Sequence, residues 1–102
     1  MSERQYKRLL RLSRQVLEHA ENGDWEAVTD LERERHPLVS EFFSGECPAH
    51  ERETRRNMIR TLLDIDRRII RLVEARREEI AHQLQTITRG RGAMRAYALN
   101  SR

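Results

Sequence analysis

Residues 9–39 read LLRLSRQVLEHAENGDWEAVTDLERERHPLV. Apolar residues recur every three or four positions up to Ala20 and again from Trp25 onward, with Asn22-Gly23-Asp24 between them. That period marks one face of a helix. The three-residue break is too short for anything but an antiparallel hairpin of two helices. Gly23 suits the left-handed position that ends the first helix, and Asp24 suits the N-cap of the second.

Upstream, Ser2 followed by Gln5 has capping-box spacing, which starts the first helix near residue 3 and lets it run to 21. Its stripe is Tyr6, Leu9, Leu10, Ser13, Val16, Leu17 and Ala20, which leaves Leu12 partly exposed. The second helix is expected from Trp25 to about Phe43, with the stripe Trp25, Val28, Leu31, Arg35, Leu38, Val39 and Phe42. Pro37 removes one hydrogen bond there, at a cost of about 3 kcal/mol or more. The apolar pattern keeps its phase across Pro37, so one kinked helix is expected. Trp25 is expected to close the hairpin against Leu17 or Ala20.

Downstream, Ser44 to Pro48 forms a connection. A third helix is expected from Ala49–Arg52 to about Arg89, with the stripe Ile59, Leu62, Leu63, Asp66, Ile69, Ile70, Val73, Arg77, Ile80, Leu84 and Ile87. Residues 59, 66, 73, 80 and 87 are seven apart, as are 63, 70, 77 and 84, which is coiled-coil seam spacing. Asp66 and Arg77 are charged residues on that seam, either marginal to it or fixing its register. Gly90 and Gly92 are expected to end the helix, with a loose tail or short fourth helix after them. The expected fold is all-α: an antiparallel three-helix bundle over residues 1–89, with a long third helix, then a short basic C-terminal segment, 90–102. At 1.5 Å per residue the third helix reaches about 60 Å against about 30 Å for the others. Val73, Ile80, Leu84 and Ile87 would overhang the hairpin, and such a stripe is expected to meet the tail, a second subunit or a client, unless the helix folds back on itself.

Composition agrees. The chain has 102 residues, 37% hydrophobic and 36% charged, against about 45–50% and 25% for typical soluble domains. Narrow apolar stripes under a charged surface fit these values. Two prolines and four glycines are too few for the turns of a sandwich or barrel. No stretch approaches the roughly 20 apolar residues of a membrane span. The start, MSERQYKRLL, has no apolar export core, and Cys47 is the lone cysteine. A reducing cytoplasm is expected, with no disulfide within the chain.

Catalytic and metal constellations are missing from the pattern. His19, His36, His50 and His82 lack ligand spacing such as HExxH. Glu78 and Glu79 near His82 read as a salt-bridged helix face. Cys47 has no base beside it in sequence and reads as an inert loop thiol. Gly90-Arg91-Gly92 follows no strand, so it is no phosphate loop. No enzymatic activity and no cofactor are expected. The net charge is +3, but the arginine pairs at 55–56, 67–68 and 76–77 have acids nearby and no aromatic stacking partners. Direct nucleic-acid binding is not expected.

The LLRLS, Leu17, Ala20 and Gly23-Asp24-Trp25 pattern resembles the FliT-type flagellar export chaperones. Residues 62–84, LLDIDRRIIRLVEARREEIAHQL, look like that family's third helix, and GRGAMRAYALNSR resembles its end. The resemblance implies a cytoplasmic helical chaperone of flagellar type III secretion. Such a protein binds the C-terminal region of the filament-cap protein and keeps it monomeric for export. For some members it also implies contact with the export ATPase complex and with a flagellar transcription regulator. This chain departs from the family plan in its very short tail and in Pro37.

Helix-in-groove recognition uses anchors at i, i+3, i+4 and i+7. The candidate client-binding residues are therefore Ile69, Ile70, Val73, Ile80, Leu84 and Ile87, supported by Leu38, Phe42 and Phe43. Arg91, Met94, Arg95, Tyr97 and Leu99 form a candidate regulatory tail that could cover this stripe. Alternatives are a FlgN-type chaperone for hook–filament junction proteins, an arginine-rich nucleic-acid-binding regulator, and a structural coiled-coil homodimer.

Overall fold

Ser2 sets the first helix in place. Its hydroxyl accepts from the Gln5 backbone at 3.2 Å, and the Gln5 side chain accepts from the Ser2 backbone at 2.9 Å. Two N–H groups that a helix start leaves without partners are thereby satisfied. The computed structural model describes residues 2–100, and every regular element there is helical. Helix α1 is Glu3–Glu21, α2 is Trp25–Ser44, and a 3-10 turn at Ala49–Glu51 leads into α3, Arg52–Asn100. Ser101 and Arg102, part of the expected basic segment, lie outside the described residues.

The α1–α2 turn forms as its residues dictate. Gly23 has φ of 75°, the left-handed region that glycine enters without penalty. The Asp24 carboxylate accepts from the Ala27 backbone at 3.3 Å and caps α2. Helix α2 continues through Pro37. At its end Arg55 donates to the Phe42 carbonyl at 2.7 Å, one of the late carbonyls for which a helix has little use of its own.

Two units divide the chain, Met1–Leu72 and Val73–Arg102. In the first, Leu9, Leu12, Leu38, Phe42 and Leu62 form the core cluster, with Tyr6, Leu10, Leu31, Val39, Met58 and Ile59 packed against it. Val16, Ala20, Val28, Ile65 and Ile69 are also buried. Between α1 and α2, Gln5 near the start of α1 pairs with Glu41 near the end of α2, whereas Arg8 and Ser13 further along α1 pair with Glu34 and Arg35 earlier on α2. Pairs between α2 and α3 run in opposite order along the two helices: Arg35 with Asp66, Phe42 with Arg55.

Three expectations need correcting. Leu12 is in the core at 5% exposure. It stands three residues after Leu9 and four before Val16, so the buried face of α1 is rotated toward it, while Tyr6, Leu10 and Leu17 are half-buried. On α3 the inward face passes through Leu62, Ile65 and Ile69, whereas Leu63 and Ile70 are exposed. A helix advances about 100° per residue, which carries Leu63 and Ile70 to one flank of that face. Last, neither Gly90 nor Gly92 ends the helix, and no separate fourth helix forms among the described residues. A helical glycine costs only about 1 kcal/mol relative to alanine. A terminator needs the left-handed backbone, which among the described residues only Gly23 adopts.

Candidate functional site

The first unit holds a polar hub inside its apolar packing. Arg35 is buried. Its Nε donates to Ser13 Oγ at 2.9 Å, its Nη1 to Glu32 at 2.6 Å, and its Nη2 to Asp66. Ser13 Oγ in turn donates to the Leu9 carbonyl at 2.8 Å. Every donor of a buried guanidinium needs such a partner, because an unpaired buried charge is expensive. No buried side-chain polar atom among the described residues lacks a hydrogen-bond partner. Asp66, a seam charge in the sequence, is thus the α3 partner of a buried α2 arginine. Arg77, the other seam charge, is exposed.

The same unit has a cavity of about 660 Å³ with Tyr6, Leu10, Phe42, Cys47, Arg55 and Met58 among its lining residues. Arg55 lies over the Phe42 ring at 5.1 Å, and Tyr6 stacks near it at 5.9 Å. This cavity was not legible in the sequence. Its walls come from α1, α3, the end of α2 and the loop, and no local spacing links them.

The candidate client-binding residues separate by burial. Leu38, Phe42 and Ile69 are buried and serve the core of the first unit. Phe43 and Ile70 are exposed in that unit, at 48% and 53%. In the second unit Val73 is half-buried, and Ile80, Leu84 and Ile87 are exposed at 40–58%. Arg91, Met94, Arg95, Tyr97 and Leu99 are exposed on the same helix. They follow the stripe along α3.

All residues from Arg77 to Asn100 are exposed. Among the described residues no group of three His, Cys, Asp or Glu could hold a metal ion. No described helix is long and apolar enough to cross a membrane. What remains is an unpaired row of large apolar side chains at helical spacing.

A family model described as flagellar protein FliT matches residues 3–99. The chain belongs to the FliT family. That match runs through all three helices and includes the exposed stripe of α3, so the stripe belongs to the FliT region itself. FliT membership points to a flagellar export chaperone. No curated protein and no solved structure gave a significant match.

Proposed function

We propose that this FliT-family protein is a cytoplasmic chaperone of flagellar type III secretion. It holds the filament-cap protein through that protein's C-terminal region and keeps it monomeric for export. The observation that carries this reading is the exposed apolar stripe Ile80, Leu84 and Ile87 on α3 of a FliT-family chain. Large side chains three and four residues apart suit the apolar face of a client helix. Removing them from water contributes roughly 25 cal/mol per Å² of area buried. The hairpin and the start of α3 act as an antiparallel three-helix bundle that anchors this helix. The opposite order of Gln5–Glu41 and Ser13–Arg35 between α1 and α2, and of Arg35–Asp66 and Phe42–Arg55 between α2 and α3, supports that arrangement. Contacts with the export ATPase complex and with a flagellar transcription regulator belong to the same reading, as secondary partners.

The test is calorimetric titration of the full chain with a C-terminal fragment of the cap protein. The double variant Ile80→Asp, Leu84→Asp should lose binding while its urea midpoint stays near that of the parent. Unchanged binding by this variant would remove the stripe from the client site.

A further inference from the structure

From Ile80 to Asn100 the chain contains no Asp or Glu, and its only full charges are Arg89, Arg91 and Arg95. Helical spacing puts Ile80, Leu84, Ile87, Arg91 and Met94 on one face, three or four residues apart. Arg95 stands one turn beyond Arg91, at the edge of that face. All six are exposed. No carboxylate stands three or four positions from Arg91 or Arg95, so the helix offers neither guanidinium an ion pair of its own.

We propose that this face is a docking surface for an acidic amphipathic helix of a partner protein. The proposal rests on the chaperone reading above and adds the chemistry of what is bound. Ile80, Ile87 and Met94 are seven residues apart, the spacing that packs against another helix as knobs into holes. Arg91 lies within the row, between Ile87 and Met94, so an occupant that dries the whole row also dries Arg91. A guanidinium buried that way needs a partner, and a carboxylate meets it best, in a bidentate fork that also neutralises its charge. The occupant therefore carries Glu or Asp across from Arg91 and Arg95 and bulky apolar residues across from Ile80 to Ile87.

Two other occupants fit less well. Peripheral helices that bind anionic lipid use clusters of about 4–8 basic residues around an apolar face. Here there are three arginines, and one of them sits inside the apolar row. A parallel second copy would set Arg91 against its own equivalent, a like-charge contact that disfavours the pair.

Three probes test this on the full chain. One is a designed amphipathic peptide of three heptads with leucine seams and glutamate flanks. The second is the same peptide with glutamine in place of every glutamate, and the third is vesicles of mixed phosphatidylserine and phosphatidylcholine. The glutamate peptide should bind about tenfold more tightly than the glutamine peptide at low salt. The advantage should shrink at high salt, where exposed charges are screened. Arg91→Glu with Arg95→Glu should abolish the preference and transfer it to a lysine-flanked peptide. Both substitutions are at exposed helical positions, and circular dichroism checks that the helix is kept. Equal binding of both peptides, or no response to the charge swap, overturns the acidic partner while leaving the apolar client site standing. Binding of neither peptide also overturns it. Preferential capture by vesicles assigns the face to lipid, and concentration-dependent sedimentation without a probe assigns it to a second copy. Loss of cap-protein binding in Ile80→Asp, Leu84→Asp without any charge preference separates the two proposals.

Discussion

Arg35 on α2 and Asp66 on α3 form an ion pair beside the buried Ser13 hydroxyl of α1. One guanidinium thus holds a side chain from each of the three helices. Apolar side chains tolerate small slips against one another, but a fork of fixed donors does not. The arrangement therefore fixes the register of the three helices at one level. Asp66→Ala should cost ~1–3 kcal/mol, since Arg35 keeps Ser13 and Glu32 but loses a charged partner. Arg35→Ala should cost about 1–3 kcal/mol, because it takes the Nε donor away from the buried Ser13 hydroxyl while Glu32 and Asp66 stay partly open to water. Urea unfolding measures both. Equal and negligible losses would mean that water already shares the site.

Glycine substitutions should have opposite signs in the α1–α2 turn and in the C-terminal part of α3. Gly23→Ala forces a Cβ into the left-handed region and should destabilise the hairpin by roughly 1–2 kcal/mol. At Gly90 and Gly92 a Cβ would meet nothing within 4 Å. Gly90→Ala and Gly92→Ala should each favour the helix by about 0.5–1 kcal/mol. Far-ultraviolet circular dichroism should show more helix for the pair and a lower melting temperature for Gly23→Ala. Unchanged helix content in Gly90→Ala, Gly92→Ala would mean that this stretch is not helical in solution.

Leu12 and Leu63 should differ sharply when truncated. Leu12→Ala empties a core position and should cost about 2–5 kcal/mol. Leu63→Ala, at 40% exposure, should cost less than about 1 kcal/mol. Chemical denaturation of the two variants side by side checks the rotation of the α1 face and the outward turn of Leu63.

Arg55 links the end of α2 to the start of α3 through a carbonyl and an aromatic ring. Arg55→Met keeps the aliphatic stem and removes both interactions. It should cost ~1–2 kcal/mol. An unchanged melting temperature would show that water replaces the guanidinium at the Phe42 carbonyl.

Features governed by neighbouring residues were legible in the sequence. Ser2, Gln5, Gly23 and Asp24 act through backbone groups a few positions away, and the helix ends they set fall where the residues place them. Features governed by contacts across helices were less so. Leu12 and Leu63 both belong to apolar series with helical spacing, and only the packing of a neighbour selects which series faces inward. Gly90 and Gly92 carry a weak cost that the surrounding helix-favouring residues outweigh. Arg35 was visible as a charged residue on an apolar stripe, but its partners lie 22 and 31 positions away on other helices. Of the apolar series read on α3, Ile80, Leu84 and Ile87 are exposed. The same reading also swept in Ile69, Leu38 and Phe42, which the core uses.

From Arg77 to Asn100 each residue is open to water. Side-chain packing therefore adds nothing to the hydrogen bonds of that stretch. Its persistence depends on the helix–coil balance of a peptide of that length, which is marginal in water. Amide protons there should exchange through fraying, fastest near Asn100 and slower toward Arg76. Those beneath Leu9, Leu12 and Leu62 should wait for a larger opening of the first unit. On warming, Trp25 fluorescence should report one sharp change while the helical signal declines in stages. A bound partner would be felt first as a slowing of exchange at the C-terminal end, since that is where ordering remains to be gained.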